Sequence, residues 1–474
     1  MKVFFLVHDL ITVPLGVSYI SSVVRERGHD VSAGVLNQRD LIERAEAFGP
    51  DVVAFGCTTG FHSKYLEAVS AIRESLDTAV VMGGAHPTFF PEVLEDNDCL
   101  DFAVRGEAES AFPQLLEALE GRRELQEVGN IRYRKSGKAV QNPLLPLEED
   151  LDAIPFPDRN LLSHFEQSTN QKALFVITGR GCPYNCSYCF NHCYNELYSG
   201  LGRRCRRRSV DNVLEEIEDL RKNNHELQMI VFQDDVFILD RNWVLEFCHQ
   251  YKERVGLPFH CHLRADLVDD GIARKLSNAG CVSVKMAIES ASERLRNDVL
   301  NRNMSRKTIL NACRSVKKAG IVLVTQNILG IPSGNLRDDL DTLDLNCEIG
   351  PDFAFATLLQ PYPRTAIGEF CRKNGYLKSD YAHDVPDSFF DCSILEIEDR
   401  EKRERLRKLF ALAIEYPMVH YWIEDLLEYP LEKTYNLMDK LWKGYCIKQR
   451  EFPYKLTPAE YLRDVITYFR SNYY

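Results

Sequence analysis

Gly179-Arg180-Gly181-Cys182-Pro183-Tyr184-Asn185-Cys186-Ser187-Tyr188-Cys189-Phe190 places three thiols at spacings of four and three. So short a loop can point all three at one centre. Three thiolates suit a soft metal, either an iron–sulfur cluster or zinc. Zinc would want a fourth Cys or His from a second pair, and Cys193 is the candidate at hand. An inert cysteine-rich turn is the third reading. The lead-in weighs against zinc: residues 173–178 form an apolar strand, and strands and helices alternate after the loop.

That alternation runs to about residue 360. Strands are expected at Ala173–Thr178, Gln228–Phe232, Phe259–Leu263, Val282–Ile288, Ile321–Leu329 and Phe353–Leu358, with helices at about 210–223, 241–254, 268–279, 305–319 and 336–348. Six parallel strands with five crossovers suit a partial (β/α)6 TIM-like barrel, whose chemistry belongs at the carboxyl ends of its strands. Those ends are polar: Gln233-Asp234-Asp235 after the second strand, Arg264 after the third, Glu289 at the fourth, Arg302 in the segment beyond it and Gln326 in the fifth. Helix capping and surface ion pairs explain any one of them, but not one at every strand end.

Residues 1–126 alternate in the same way and predict a Rossmann-like, doubly wound parallel sheet. Strands are expected at Val3–Val7, Asp30–Leu36, Val52–Gly56, Ala79–Met82 and Asp101–Val104. Ligands of such sheets bind at the carboxyl ends of the strands. Here those ends carry Pro14, Leu15 and Gly16; Cys57, Thr58 and Thr59; and Gly83, Gly84, His86 and Thr88. Residues 127–170 read as a proline-rich linker containing a hairpin across Ser136-Gly137. A barrel domain is assigned to 171–390 and a small helical domain to 391–474. The aromatics of the latter, among them Tyr416, Tyr421, Trp422, Tyr435, Trp442, Tyr473 and Tyr474, are expected in its core, with a substrate-facing lid as the alternative. The basic run Arg203–Arg208 is either a solvated loop or an anion pocket.

Composition narrows the classes. A net charge of −12 over 474 residues argues against a nucleic-acid binder. Fifteen cysteines without a recognisable export signal suggest a reducing cytoplasm. The apolar start is too short to span a membrane and reads as a buried first strand.

With Tyr188 at its aromatic position, the cysteine loop matches C-x3-C-x-aromatic-C and resembles the signature of the radical S-adenosylmethionine (SAM) superfamily. The stretches PLGVSYISSVVRERGHDV (14–31), DVVAFGCTTG (51–60), GGAHPTFFPE (83–92) and RGEAES (105–110) resemble, in order, the cobalamin-binding domain fused ahead of many such barrels. The resemblance implies that Cys182, Cys186 and Cys189 ligate three irons of a [4Fe–4S] cluster, leaving the fourth iron to chelate SAM. It implies SAM contacts at Tyr188 (beside the adenine), Gln233, Asp234, Asp235, Arg264, Glu289, Gln326 and Arg302 (at the carboxylate). It places cobalamin against the three amino-terminal strand-end groups. Relatives with a histidine on cobalt carry Asp-x-His-x-x-Gly, which is absent here: Gly84 stands where the Asp before His86 would be. Cobalamin is therefore expected without a protein histidine on cobalt, and His86 as a loop residue.

The implied activity is methyl transfer to an unactivated carbon, using a 5′-deoxyadenosyl radical and methylcobalamin. The implied partners are a small-molecule or peptide substrate and an electron donor such as flavodoxin or ferredoxin. An oxidative cyclase or rearrangement enzyme would share every feature. Methylthio transfer would need three further cluster cysteines in the amino-terminal domain, where only Cys57 and Cys99 occur. A non-enzymatic corrinoid or iron–sulfur sensor would have no use for polar strand ends.

Overall fold

The computed structural model describes residues 1–9, 14–163, 165, 172–377 and 392–470. The expected boundary at 390/391 and the terminal Tyr473 and Tyr474 lie outside these. The chain divides into two compact units, residues 1–170 with 196–206, and residues 171–195 with 207–474.

In the first unit, apolar runs too short for helices form parallel strands: β1 (Lys2–Val7), β2 (Asp30–Val35), β3 (Val52–Gly56), β4 (Ala79–Gly83) and β5 (Phe102–Val104). Their order is β2-β1-β3-β4-β5, with helices between successive strands. Each face carries its own apolar core, because alternate strand residues point to opposite sides: Val3 and Phe5 to one, Phe4 and Leu6 to the other. The hairpin expected in the linker exists as β6 (Ile131–Lys135) and β7 (Lys138–Gln141), but it does not stand apart. β6 pairs antiparallel with β5 and extends the sheet to seven strands. Ile131 and Tyr133 sit in the same core as Phe102 and Val104, and that burial draws the hairpin in. Residues 196–206 also belong here. Arg206 makes two bonds to Glu107, and Gly106, at φ +70°, leaves room for the Tyr198 hydroxyl that any Cβ would strike.

The second unit holds six parallel strands in sequential order: Ala173–Val176, Met229–Phe232, Phe259–Leu263, Cys281–Glu289, Val322–Leu329 and Phe353–Leu358. The helices between them start on caps legible in the sequence. Ser209, Asp240, Asp269, Ser305 and Asn335 each accept backbone N–H bonds through the side chain. One set of strand residues, including Ile230, Phe232, Val284 and Met286, is fully buried against those helices. The alternate set, including Phe175, His262, Lys285, Gln326, Phe355 and Thr357, is only partly buried and lines the lumen.

Among the described residues, the carboxyl-terminal helices share an apolar cluster with the barrel. Leu406, Leu409 and Phe410, on the helix Arg400–Glu415, pack with Ala354 and Leu358 of the sixth barrel strand. Arg403 reaches Asp339 at 2.6 Å, with both side chains at most 2% exposed, and Asp339 also accepts from the Gly330 N–H at the end of the fifth strand. Tyr435 is buried as expected, whereas Tyr416, Tyr421 and Trp422 are exposed rather than core.

Candidate active site

The thiol loop leaves the first barrel strand and is pinned by its own backbone and its neighbours. Cys189 N donates to Cys186 O, Ser187 N donates to Leu300 O, and Asn195 Nδ2 donates to Cys182 O. Cys182 and Cys186 are buried, and burial lifts the Cys189 thiol to about 12, with the charges of Asp235, Cys186 and Cys182 adding to the rise. The three thiols are thus near enough to feel one another. Yet among the described residues no three His, Cys, Asp or Glu side chains gather tightly enough for a single metal ion. Thiolates on one zinc, at about 2.3 Å each, would crowd together, whereas a cubane holds them farther apart. The residues that could complete a zinc site are engaged elsewhere. His192 Nε2 accepts from Ala366 N, and Cys193 Sγ lies 3.3 Å from Arg364 O.

The polar strand ends divide into two groups. Tyr188, Glu289, Arg302 and Arg264 form one network against the loop. Tyr188 Oη donates to Glu289 at 2.6 Å, and Arg302 Nη1 donates to Tyr188 Oη at 3.2 Å. Arg302 lies 3.7 Å from Glu289, and Arg264 Nη2 donates to Arg302 O at 2.6 Å. Glu289 reaches this network because the fourth strand bulges between Ala287 and Glu289 and Glu289 itself sits at φ +67°. A left-handed glutamate costs about 1–3 kcal/mol and marks a site where the side chain's aim is fixed by its surroundings. Burial pushes the Glu289 carboxyl up, with Arg302 and the Tyr188 bond working against the rise.

Gln233, Asp235 and Gln326 make up the accessible group. Asp235 accepts from Asn191 Nδ2 at 3.2 Å. Asp234 differs from its neighbours: it turns inward and accepts from Thr178 N and Thr178 Oγ1, holding the end of the first strand. Nothing in the Gln-Asp-Asp string distinguishes a structural aspartate from an accessible one. The second half of the basic run is likewise internal: Arg206 pairs with Glu107, Arg208 pairs with Glu216, and Arg207 bonds Phe237 O and stacks over Trp243. Arg203, paired with Glu149, and Arg204 are exposed.

The lumen also contains a cluster that sequence reasoning missed. Glu451, 1% exposed and carried by the carboxyl-terminal segment, sits 2.6 Å from Lys285 Nζ. Ser283 bonds both Glu451 O and His260 Nδ1. Burial depresses His260 well below the ordinary range and His262 to about 3, with Lys285 contributing to both. Alternation of His260, His262 and Arg264 was the available signal; Glu451, 168 residues beyond Ser283, was not.

In the amino-terminal unit, the order β2-β1-β3 reverses direction at β1/β3, where open α/β sheets bind their ligands. The three expected strand-end groups follow β1, β3 and β4, which are neighbours there. Gly84, at φ +92°, passes so close to Cys57 that a Cβ would lie 2.9 Å from Cys57 N and O. Thr88 Oγ1 donates to Gly84 O and accepts from Gly106 N. His86, expected in a loop, lies on the short helix Ala85–Phe89; it is buried, 3.2 Å from Thr59 Oγ1, with its ring stacked on His62. Gly16, Thr58 and Gly84 are the exposed members, whereas Leu15, Cys57, Thr59 and Thr88 are buried and Pro14 and Gly83 are half-buried.

Comparison with known proteins places this geometry. Residues 176–345 match the radical SAM superfamily and residues 1–116 match the B12 binding domain. An uncharacterized methyltransferase of Pyrococcus horikoshii is 31% identical over 373 residues, covering 77% of this chain and 79% of the relative. The chain belongs to the radical SAM superfamily, in its branch with a B12-binding domain. The anaerobic magnesium-protoporphyrin IX monomethyl ester cyclase of Rubrivivax gelatinosus is 27% identical over 370 residues, covering 74% and 64% of the two chains. The solved structure of the cobalamin-dependent SAM radical enzyme OxsB, with aqua-cobalamin and SAM bound, superposes with a TM-score of 0.70 at 17% identity over 98% of this chain and 75% of that one.

This radical SAM protein is accordingly a cobalamin-dependent enzyme whose cofactors are a [4Fe–4S] cluster, SAM and cobalamin. The donor set fits such a cluster: the loop offers three thiols, and among the described residues His192 and Cys193 beside it have other partners. At the amino-terminal site, the Cys57 backbone and a φ of +92° reserve position 84 for glycine, and Gly84 is exposed, so the strand-end surface there carries no side chain. Among the described residues, no helix is long and apolar enough to cross a membrane.

Proposed function

We propose that the enzyme is a C-methyltransferase acting at an unactivated carbon of a small molecule or peptide. When bound, the cluster and SAM supply the 5′-deoxyadenosyl radical that opens the C–H bond, and cobalamin supplies the methyl group. The observation that carries this reading is the three-thiol loop at the barrel rim, with His192 and Cys193 turned to other partners. The methyltransferase relative from Pyrococcus horikoshii supports methyl transfer over ring closure. Cys182, Cys186 and Cys189 hold the cluster, while Gln233, Asp235 and Gln326 offer uncommitted polar atoms to SAM beside it. The lumen accepts a substrate without demanding charge, because Lys285 is offset by Glu451 and His262 is neutral. Cobalamin rests on Gly16, Thr58 and Gly84. His86, held between Thr59 and His62, stays off the cobalt. The fifteen unbridged cysteines suit a reducing cytoplasm, where flavodoxin or ferredoxin supplies electrons.

Methyl-deuterated SAM given to the reduced, oxygen-free holoenzyme tests the reading. Label recovered on the corrinoid, with methionine and 5′-deoxyadenosine released, supports methyl transfer. SAM cleavage with an unlabelled corrinoid overturns it in favour of the cyclase chemistry of the Rubrivivax relative.

A further inference from the structure

Two guanidinium groups converge on one of the three sulfurs. Arg264 Nη1 lies 3.9 Å from Cys186 Sγ and Arg302 Nη1 lies 3.8 Å from it. Neither arginine is free to swing. Arg264 is stacked 3.5 Å over the Tyr184 ring, is paired with Asp266 at 2.8 Å, and donates to Arg302 O. Arg302 donates to Ala287 O at 2.9 Å and is held by Tyr188 and Glu289. The two residues are 4% and 6% exposed. Buried cations persist when anions face them. Asp266 and Glu289 each answer one arginine, and Arg264 Nη1 and Arg302 Nη1, the latter shared with Tyr188 Oη, also reach the sulfur. A thiolate there completes the arrangement, since it accepts such bonds far better than a thiol.

We propose that Arg264 and Arg302 are positioning residues that clamp Cys186 through paired N–H···S bonds and raise the reduction potential of the cluster it ligates. This rests on the cluster assignment above. Reduction adds one electron, from an external donor, to the oxidised [4Fe–4S] cluster and makes the site one charge more negative. Hydrogen bonds to a ligand sulfur and nearby positive charge favour the reduced form. Both guanidiniums stay protonated throughout, so no proton moves.

The test uses oxygen-free, reconstituted full-length protein: wild type, Arg264→Gln, Arg302→Lys and, as a surface-charge control, Arg241→Gln. Iron is counted first. The midpoint is then read by redox titration followed by electron paramagnetic resonance without SAM, and SAM affinity from the change SAM makes in that signal. With iron retained, Arg264→Gln and Arg302→Lys should titrate at more negative potential. Poised at the wild-type midpoint, their ratio of reduced to oxidised cluster should fall about tenfold, equivalent to about 59 mV for one electron. Arg241→Gln should match wild type, and SAM affinity should hold within about twofold. Iron-loaded variants with an unchanged midpoint overturn the inference, and a selective loss of SAM affinity would reassign the arginines to SAM. If Arg302→Lys does not fold, Arg264→Gln decides. A wild type that binds no cluster would instead overturn the cofactor assignment beneath it.

Discussion

At the carboxyl end of the amino-terminal sheet the residues that meet are Gly84, Cys57, Thr59, His86 and Thr88, with no Asp, Glu, Lys or Arg among these five and one carboxylate, Asp9, beside His8 just past β1. At the carboxyl end of the barrel they are Arg264, Arg302, Glu289, Asp234 and Asp235. The first site is shaped by backbone: Gly84 at φ +92° lies against Cys57, and Thr88 ties two loops by their main chains. The second is shaped by ion pairs and charge-assisted bonds whose donors and acceptors are nearly all buried. A broad macrocycle needs a close, uncharged surface to lie on. A cluster that changes charge with each electron needs fixed charges around it. The backbone-built site should therefore fail when atoms are added, and the charge-built one when charge or sulfur is removed.

Removing sulfur has the largest expected effect. Cys186→Ala leaves two thiols and two arginines aimed at nothing, so iron and the brown absorbance should be lost; a variant that keeps the full iron content would put Cys186 outside the ligand set. Next comes charge. Arg403→Met leaves Asp339 buried beside the Gly330 N–H, and breaking so buried a pair should cost about 3–5 kcal/mol in denaturant unfolding. A loss below about 1 kcal/mol would mean that the pair behaves as a surface one. Added atoms follow. Gly84→Ala should cost about 1–3 kcal/mol from its left-handed backbone and should weaken hydroxocobalamin binding, while iron loading stays at wild-type level. Equal loss of iron and corrinoid would erase the distinction between the two sites.

Acid probes the contrast most gently. His260 and His262 are held neutral by burial, with folded-state values below those of the unfolded chain. As pH falls through about 6.5 the unfolded chain gains protons that the fold refuses, so stability should decline by roughly 1.4 kcal/mol per pH unit for each histidine. Above that pH neither residue contributes to the slope. At lower pH the raised carboxyls of Asp234 and Glu289 act in the opposite sense, because the fold binds their protons more readily. His262→Gln should flatten the slope between about pH 6.5 and 5.5. An unchanged slope would move the effect elsewhere, to His29 for instance, whose value burial also lowers.

Much of this was legible in the chain because the signals are local. Apolar runs and their alternation located the strands and helices, and the cysteine spacing located the three-thiol loop. What escaped has long-range causes. The hairpin at 131–141 read as linker because its pairing with β5 depends on burial of Ile131 and Tyr133, not on its turn. Asp234 and Asp235 are adjacent and alike, and only Thr178 on another strand separates their roles. Arg264 and Arg302 read as ligands for SAM, and their further approach to the Cys186 sulfur could not be seen in the chain, because it depends on segments distant in sequence. Glu451 could not be paired with Lys285 without the fold.

The most direct test of the central claim is the metal and chemistry of the wild-type loop. Oxygen-free protein, reconstituted and reduced, should hold about four irons per chain. It should show a reduced-cluster resonance that shifts when SAM is added, and it should release 5′-deoxyadenosine and methionine. Zinc in that loop, or four irons whose signal ignores SAM and which release no 5′-deoxyadenosine, would contradict it.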